Sequence, residues 1–257
     1  MDSKSSDDQN ASLGISSDFS IRYRAISPAE IDAEDLTFRI TTRNEIQDLL
    51  GSINKIGLIQ PPVLAANPTG YTIVCGFRRI AACRKLDWTR LTARILEKTV
   101  DPFNTAQVAI ADNALQRPLN LVETSRALQL LDKFGSDSRQ RRKAAEILGL
   151  PISPSLAPAV KKICRLPLPV QESILADTIN LAMALELGEL DAAAAGGLVR
   201  LFNQLKVGLN KQRELLLLLK EIAEREETGI PQLLAERPLR DILKAGRRAS
   251  GLKICAC

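Results

Sequence analysis

Gly70-Tyr71-Thr72-Ile73-Val74-Cys75-Gly76-Phe77-Arg78-Arg79-Ile80-Ala81-Ala82-Cys83-Arg84-Lys85-Leu86 is the stretch on which the fold turns. Its first half is a β-branched and aromatic run, the composition of a hairpin strand, and it ends on glycine. Its second half has helical composition and opens with Arg78 and Arg79 in the first turn. A helix N-terminus leaves backbone N–H groups without partners, and these attract anions. Glycine lets a phosphate approach the chain closely, and arginine forks grip phosphate with two parallel hydrogen bonds. A solvated basic helix accounts for so short a string equally well, so the neighbouring sequence has to arbitrate.

Upstream, Ser27-Pro28-Ala29-Glu30 opens a short turn. Thr41-Thr42-Arg43-Asn44-Glu45 is predicted to cap a helix with Ile46, Leu49, Leu50 and Ile53 on one face. Gly57 should stop that helix, and Pro61-Pro62 enforce an extended path into Val63-Leu64. Downstream, Leu91 to Leu96 reads as a returning strand. Short strands mixed with helices over residues 21–100 predict a compact α+β domain with a small mixed sheet.

After residue 100 the strand signal stops. Helices are predicted at 105–115, 121–134, 139–148, 156–164, 170–176, 179–187, 192–206, 211–226 and 231–234, punctuated by prolines 118, 151, 154, 158, 167 and 169. The expected organisation is a disordered tail over 1–20, the α+β domain over 21–100, a helical domain over 101–190, and a C-terminal helical region over 191–257. No repeat of 20–50 residues recurs.

Composition narrows the chemistry. Among 257 residues there is no histidine, which excludes Ser-His-Asp and Cys-His catalysis and histidine-ligated metals. Aromatic residues are 4% of the chain, too few for a broad base-stacking platform. The net charge of +5 permits a nucleic-acid partner without requiring one. The five cysteines form no CxxC pair and fit a reducing compartment, with Cys255-Ala256-Cys257 read as tail. The purest apolar run, Leu215 to Leu219, is too short to span a bilayer. The expectation is a soluble, cytoplasmic protein that does not engage a membrane.

Three segments together resemble the ParB family of chromosome-partition proteins. They are Gly57-Leu58-Ile59-Gln60-Pro61, then Gly76-Phe77-Arg78-Arg79-Ile80-Ala81-Ala82, then Asp112-Asn113 followed by Leu119-Asn120-Leu121-Val122-Glu123. They follow that family's order of a G-L-x-Q-P turn, a G-E-R-R-x-R-A phosphate motif, and an E-N-x-Q-R-x-x-L-N-P-x-E helix start. The resemblance covers roughly residues 21–187. It implies a ParB/sulfiredoxin-like α+β domain followed by an all-α domain containing a helix-turn-helix. It implies that Gly76, Arg78 and Arg79 cradle the phosphates of CTP, and that Asp112 and Asn113 hold its Mg²⁺. Phe77 stands where the family's motif has glutamate, Ala81 stands at its second basic position, and Gln116-Arg117 comes one residue late. Losing the acid implies weak or absent CTP hydrolysis. Sulfiredoxins place a catalytic cysteine in this loop, but after the glycine and followed by histidine. Cys75 precedes Gly76, so it is read as a buried strand residue.

The stretch from Arg139 to Arg165 holds seven basic residues, Arg139, Arg141, Arg142, Lys143, Lys161, Lys162 and Arg165, against the single acid Glu146. A helix ending at Gly149, a turn and a second basic helix is how helix-turn-helix proteins present themselves to duplex DNA. Pro158 fits only in the first turn of that second helix. A solvated helix pair is the plainer alternative. Further on, Leu215, Leu218, Leu219 and Ile222 should form one stripe, broadened by Leu216 and Leu217, either the core of a C-terminal bundle or a homodimer surface.

The reading is a DNA-binding protein of nucleoid-associated location, acting in chromosome or plasmid partition or in regulation. By resemblance it would have a ParA-type ATPase partner. Its rivals are a nucleotide hydrolase or phosphotransferase on the same scaffold, and a protein-interaction adaptor with degenerate DNA helices.

Overall fold

The computed structural model describes residues 21–97, 100–150, 153, 155–236 and 239. The tail expected over 1–20, and the terminal Cys255 and Cys257, lie outside them. The chain forms two compact units, the first of residues up to 119 with 126–151, the second of 120–125 with 152 onward.

In the first unit, β1 (Ile21–Ile26), β2 (Ile31–Asp32), α1 (Gln47–Ile56), β3 (Val63–Asn67), β4 (Gly70–Cys75), α2 (Phe77–Lys85), β5 (Leu91–Leu96) and α3 (Pro102–Ala114) follow in order. They build a five-stranded mixed sheet in the order β1-β5-β3-β4-β2. β3 and β4 form the antiparallel hairpin, β1 pairs antiparallel with β5, and β3–β5 and β2–β4 are parallel. Tyr71, Ile73 and Leu64 from the hairpin pack with Ile80 and Cys83 of α2 and Ile53 of α1. Burying such side chains contributes about 1.5–3 kcal/mol each. Two arginines fix the flanks through long-range bonds. Arg84 donates to the carbonyls of Pro28 and Ile31 at 2.8 and 2.6 Å, and Arg126 donates to those of Ile40 and Thr41 at 3.2 and 2.8 Å.

The helix after Thr41 begins later than its polar run suggests. α1 starts behind Ile46 with no side-chain cap. Thr41 Oγ1 instead accepts the Arg43 amide at 3.1 Å, Asn44 accepts from Arg39, and the Glu45 carbonyl accepts from Arg78 at 2.6 Å. These bonds, with Arg126 on the carbonyls of Ile40 and Thr41, hold the segment outside the helix. Gly57 ends α1 as expected, at φ 82°.

α4 (Leu121–Phe134) matches its expected bounds and is entered through a capping box. The Asn120 amide donates to Glu123 at 3.2 Å, and the Glu123 amide donates to Asn120 Oδ1 at 2.9 Å. α5 (Ser138–Ile147) is capped by Asp137, whose carboxylate accepts the Gln140 amide at 2.8 Å. That bond and the Arg139 amide hold the Asp137 carboxyl below the usual aspartate range.

The second unit is helical: α6 (Ala157–Lys162), α7 (Leu168–Leu175), α8 (Leu181–Leu187), α9 (Ala192–Leu205), α10 (Leu209–Arg225) and α11 (Ile230–Ala235). Pro158 sits in the first turn of α6, which passes into a 3-10 turn at Ile163–Arg165. α9 packs against α7 and α11, and a Cβ on Gly197 would lie 2.5 Å from Leu234 Cδ1. Two buried glutamines tie loops down. Gln171 donates to the carbonyls of Cys164 and Leu166 at 3.3 and 2.7 Å, and Gln212 to those of Thr178 and Val207 at 2.8 and 3.0 Å.

Gln212 accounts for a correction. The sheltered face of α10 is Gln212, Leu216 and Leu219, whereas Leu218, expected in the stripe, is 50% exposed beside Leu217 at 53%. A buried amide that satisfies two loop carbonyls sets the helix's rotation, and the leucine run alone does not reveal it. Gln212→Ala should therefore lower stability by about 1–3 kcal/mol. Leu218→Gln should change it by no more than about 0.5 kcal/mol. Urea unfolding of the full chain measures both.

Candidate functional site

β4 ends at Cys75, and Gly76 caps α2 at φ 94°, ψ 28°, the left-handed region. A Cβ there would stand 2.9 Å from Pro62 Cβ and 3.2 Å from Arg79 Nε. The first intrahelical bond runs from the Ile80 amide to the Gly76 carbonyl at 3.0 Å, so the amides of Phe77, Arg78 and Arg79 have no helical acceptor. Both arginines lean on neighbouring elements. Arg78 grips the Asp48 carboxylate at 2.7 and 2.8 Å. Arg79 donates to the carbonyl of Gln60 at 2.8 Å and lies 3.7 Å from Asp112. Gln60 belongs to the Gly57–Pro61 turn, so that turn and the arginine helix are parts of one site.

A cleft of about 330 Å³ opens over this turn, within the first unit. All five residues expected at a nucleotide site line it: Gly76, Arg78, Arg79, Asp112 and Asn113. So do Thr41 and Arg43, which local spacing does not signal, and Gln60, Gln116 and Arg117. Four arginines and one aspartate line it, with Arg78 paired to Asp48 outside the lining. Phe77 contributes its ring, with the Arg39 guanidinium 5.9 Å from the ring centroid. Asn113 donates to the Ala109 carbonyl at 2.8 Å. No cluster of three or more His, Cys, Asp or Glu suited to a metal occurs among the described residues.

Cys75 lies at the back of the cleft, buried, with Sγ 3.8 Å from the Val108 carbonyl. Burial, reinforced by the negative charge of Asp112, pushes its thiol far above the ordinary range. A nucleophile must be a thiolate, so Cys75 serves as a strand residue and not as a sulfiredoxin-type catalyst.

The expected DNA contacts divide between the units. On α5, Arg139, Arg142 and Lys143 are exposed at helical spacing, with Arg142 3.2 Å from Glu146. Arg141 is half-buried, 3.3 Å from Asp132 and 3.0 Å from the Gly135 carbonyl, which is a packing role. In the second unit Lys162 and Arg165 are exposed and Lys161 is half-buried. No described helix is long and apolar enough to cross a membrane.

The first unit is thus an α+β domain, a mixed sheet whose hairpin passes through a left-handed glycine into an arginine-bearing helix. Residues 16–114 match the ParB N-terminal domain family, and over that segment the chain is similar to ParB proteins. A probable plasmid-partitioning protein ParB of Xylella fastidiosa is 33% identical over 94 residues, covering 36% of this chain and 23% of that protein. A nucleoid occlusion protein of Lysinibacillus sphaericus is 31% identical over 137 residues, covering 53% of this chain and 44% of that protein. The chain thus spans less than half the length of these two relatives. The C-terminally truncated chromosome-partitioning protein ParB of Caulobacter crescentus, solved with CTP-gamma-S, is 21% identical at a TM-score of 0.32, covering 69% of this chain and 97% of that one.

Two outcomes follow from this geometry. Gly76→Ala forces a left-handed alanine against Pro62 and should cost at least about 2 kcal/mol in denaturant unfolding. The hydrogen bond from Arg78 holds the Asp48 carboxyl below its ordinary value. A depressed carboxyl stabilises the fold above its unfolded pKa of about 3.9 and loses that contribution as pH falls through the folded value. A carbon-detected titration of Asp48 should give a midpoint below that figure in the native chain, and Arg78→Ala should raise it.

Proposed function

We propose that this chain is a ParB-like DNA-binding protein, acting in chromosome or plasmid partition or in nucleoid-associated regulation. Its first unit would bind CTP or a chemically similar nucleoside triphosphate. The observation that carries the reading is the convergence of Gly76, Arg78, Arg79, Asp112 and Asn113 on one cleft, beside helix amides with no helical acceptor. The match of residues 16–114 to the ParB N-terminal domain supports it. The names of the Xylella and Lysinibacillus relatives support the same role.

Duplex DNA is the proposed partner of the basic helices, arranged as a helix-turn-helix. Arg139, Arg142 and Lys143 on α5, with Lys161, Lys162 and Arg165 beyond it, would contact phosphates. Arg141 would act by holding α5 to Asp132 and the Gly135 carbonyl. A homodimer and a ParA-type ATPase partner belong to the same reading.

Calorimetry on the full chain tests the nucleotide half. Saturable CTP binding should weaken at least about ten-fold in Arg79→Ala, the loss of a charge-assisted phosphate contact. An unchanged melting temperature would separate lost binding from lost fold. No CTP binding by the native protein would remove this half of the proposal. Anisotropy with duplex DNA across a salt series tests the other half. Affinity should fall steeply with salt, and Arg139→Ala combined with Lys143→Ala should reduce the log–log slope by about 2. Salt-independent failure to bind duplex DNA would leave an adaptor.

A further inference from the structure

We infer that Arg43 is a further phosphate contact of the cleft, and that Arg126, outside the lining, is the positioning residue that puts Arg43 there. The inference rests on the proposed nucleotide reading of the same cleft and names two residues which that reading does not use.

Arg43 reaches the cleft from residues 39–46, which lie in neither helix nor strand. Such a stretch has no ladder to satisfy its backbone, so its course is set by whatever binds its carbonyls. Arg126 of α4, half-buried, donates from one guanidinium nitrogen to the carbonyls of Ile40 and Thr41 at 3.2 and 2.8 Å. Just upstream, the Phe38 ring stacks on that of Phe134 at the end of α4, with centroids 5.6 Å apart. The segment is thus tied to one helix at two points. Thr41 Oγ1 then accepts the Arg43 amide at 3.1 Å, which fixes the backbone of Arg43 to the residue that Arg126 holds. Thr41 and Arg43 both line the cleft.

The side chain of Arg43 stands apart from the two arginines of α2. Arg78 grips Asp48 and Arg79 lies beside Asp112, so an anion meets both of them already paired. Arg43 is exposed and makes no ion pair among the described residues. A phosphate on Arg43 gains a charge-assisted, two-pronged contact without displacing a carboxylate. What limits that gain is the entropy of holding a long side chain over the cleft, and a pinned backbone lowers that cost. The charge comes from Arg43 and its placement from Arg126.

The experiment is calorimetric titration of the full chain with CTP in Mg²⁺. The proteins are the native chain, Arg43→Ala, Arg43→Lys, Arg126→Met and the Arg43→Ala/Arg126→Met double variant, each checked for an unchanged melting transition. Arg43→Ala should weaken CTP binding at least about ten-fold, and Arg43→Lys should recover part of that loss. Arg126→Met should weaken it about five-fold alone but less than about two-fold when residue 43 is already alanine, because a residue that acts through Arg43 then has nothing to place. Equal weakening by Arg126→Met in both backgrounds would mark a merely structural role and overturns the inference. Arg43→Ala binding within about two-fold of the native protein overturns it too, and both results leave the nucleotide reading standing. If Arg126→Met loses the native melting transition, the exposed Arg43 carries the test. Arg43→Lys binding no better than Arg43→Ala then overturns the inference, since charge would not be what was lost. Absence of CTP binding by the native protein overturns the inference and the nucleotide reading together.

Discussion

The left-handed backbone at Gly76 is the constraint on which the first unit depends. A strand and a helix joined without a loop must reverse within one residue, and only glycine does so cheaply with Pro62 packed against the turn. The reversal has three consequences at once. It leaves Cys75 behind the sheet's edge, shut off from solvent. It opens the first amides of α2 to the cleft, and it sets Arg78 and Arg79 on adjacent positions of the same helical turn. A helix entered through a longer loop would lose the close approach of backbone to the cleft on which the proposed phosphate contact depends.

Both arginines that follow the turn also hold neighbouring elements. Arg79 reaches the Gln60 carbonyl and Asp112, so one guanidinium joins the Gly57–Pro61 turn, α2 and α3. Arg78 joins α2 to α1 through Asp48 and the Glu45 carbonyl. The same two groups that would grip an anion therefore carry the contacts that shape the cleft. An anion bound there would compete with Asp48 and Asp112 for these two guanidinium groups.

Much of this was legible in the sequence because the determinants are local. The hairpin strand, its terminal glycine and the two arginines are consecutive, and the bounds of α4 follow from Asn120 and Glu123, a reciprocal cap written three residues apart. The helix after Thr41 was mis-started because its polar run is bound from elsewhere in the chain, by Arg78 and Arg126. The face of α10 was misjudged for a similar reason. Gln212 is buried because it closes two loop carbonyls, and hydropathy reads glutamine as outward. Arg43 and Thr41 reach the cleft through tertiary placement, for which no spacing rule exists. The nearness of Asp112 to Arg79 is a contact between α3 and α2 that periodicity does not encode.

The central claim is that the turn through Gly76 into α2 is where an anion binds. Amide chemical-shift mapping of the full chain titrated with CTP addresses it most directly. The account predicts saturable shifts centred on the amides of Gly76, Phe77, Arg78 and Arg79, with weaker changes at Gln60, Asp112 and Asn113. Shifts confined to other surfaces, or none at the turn at concentrations that saturate binding, would contradict it.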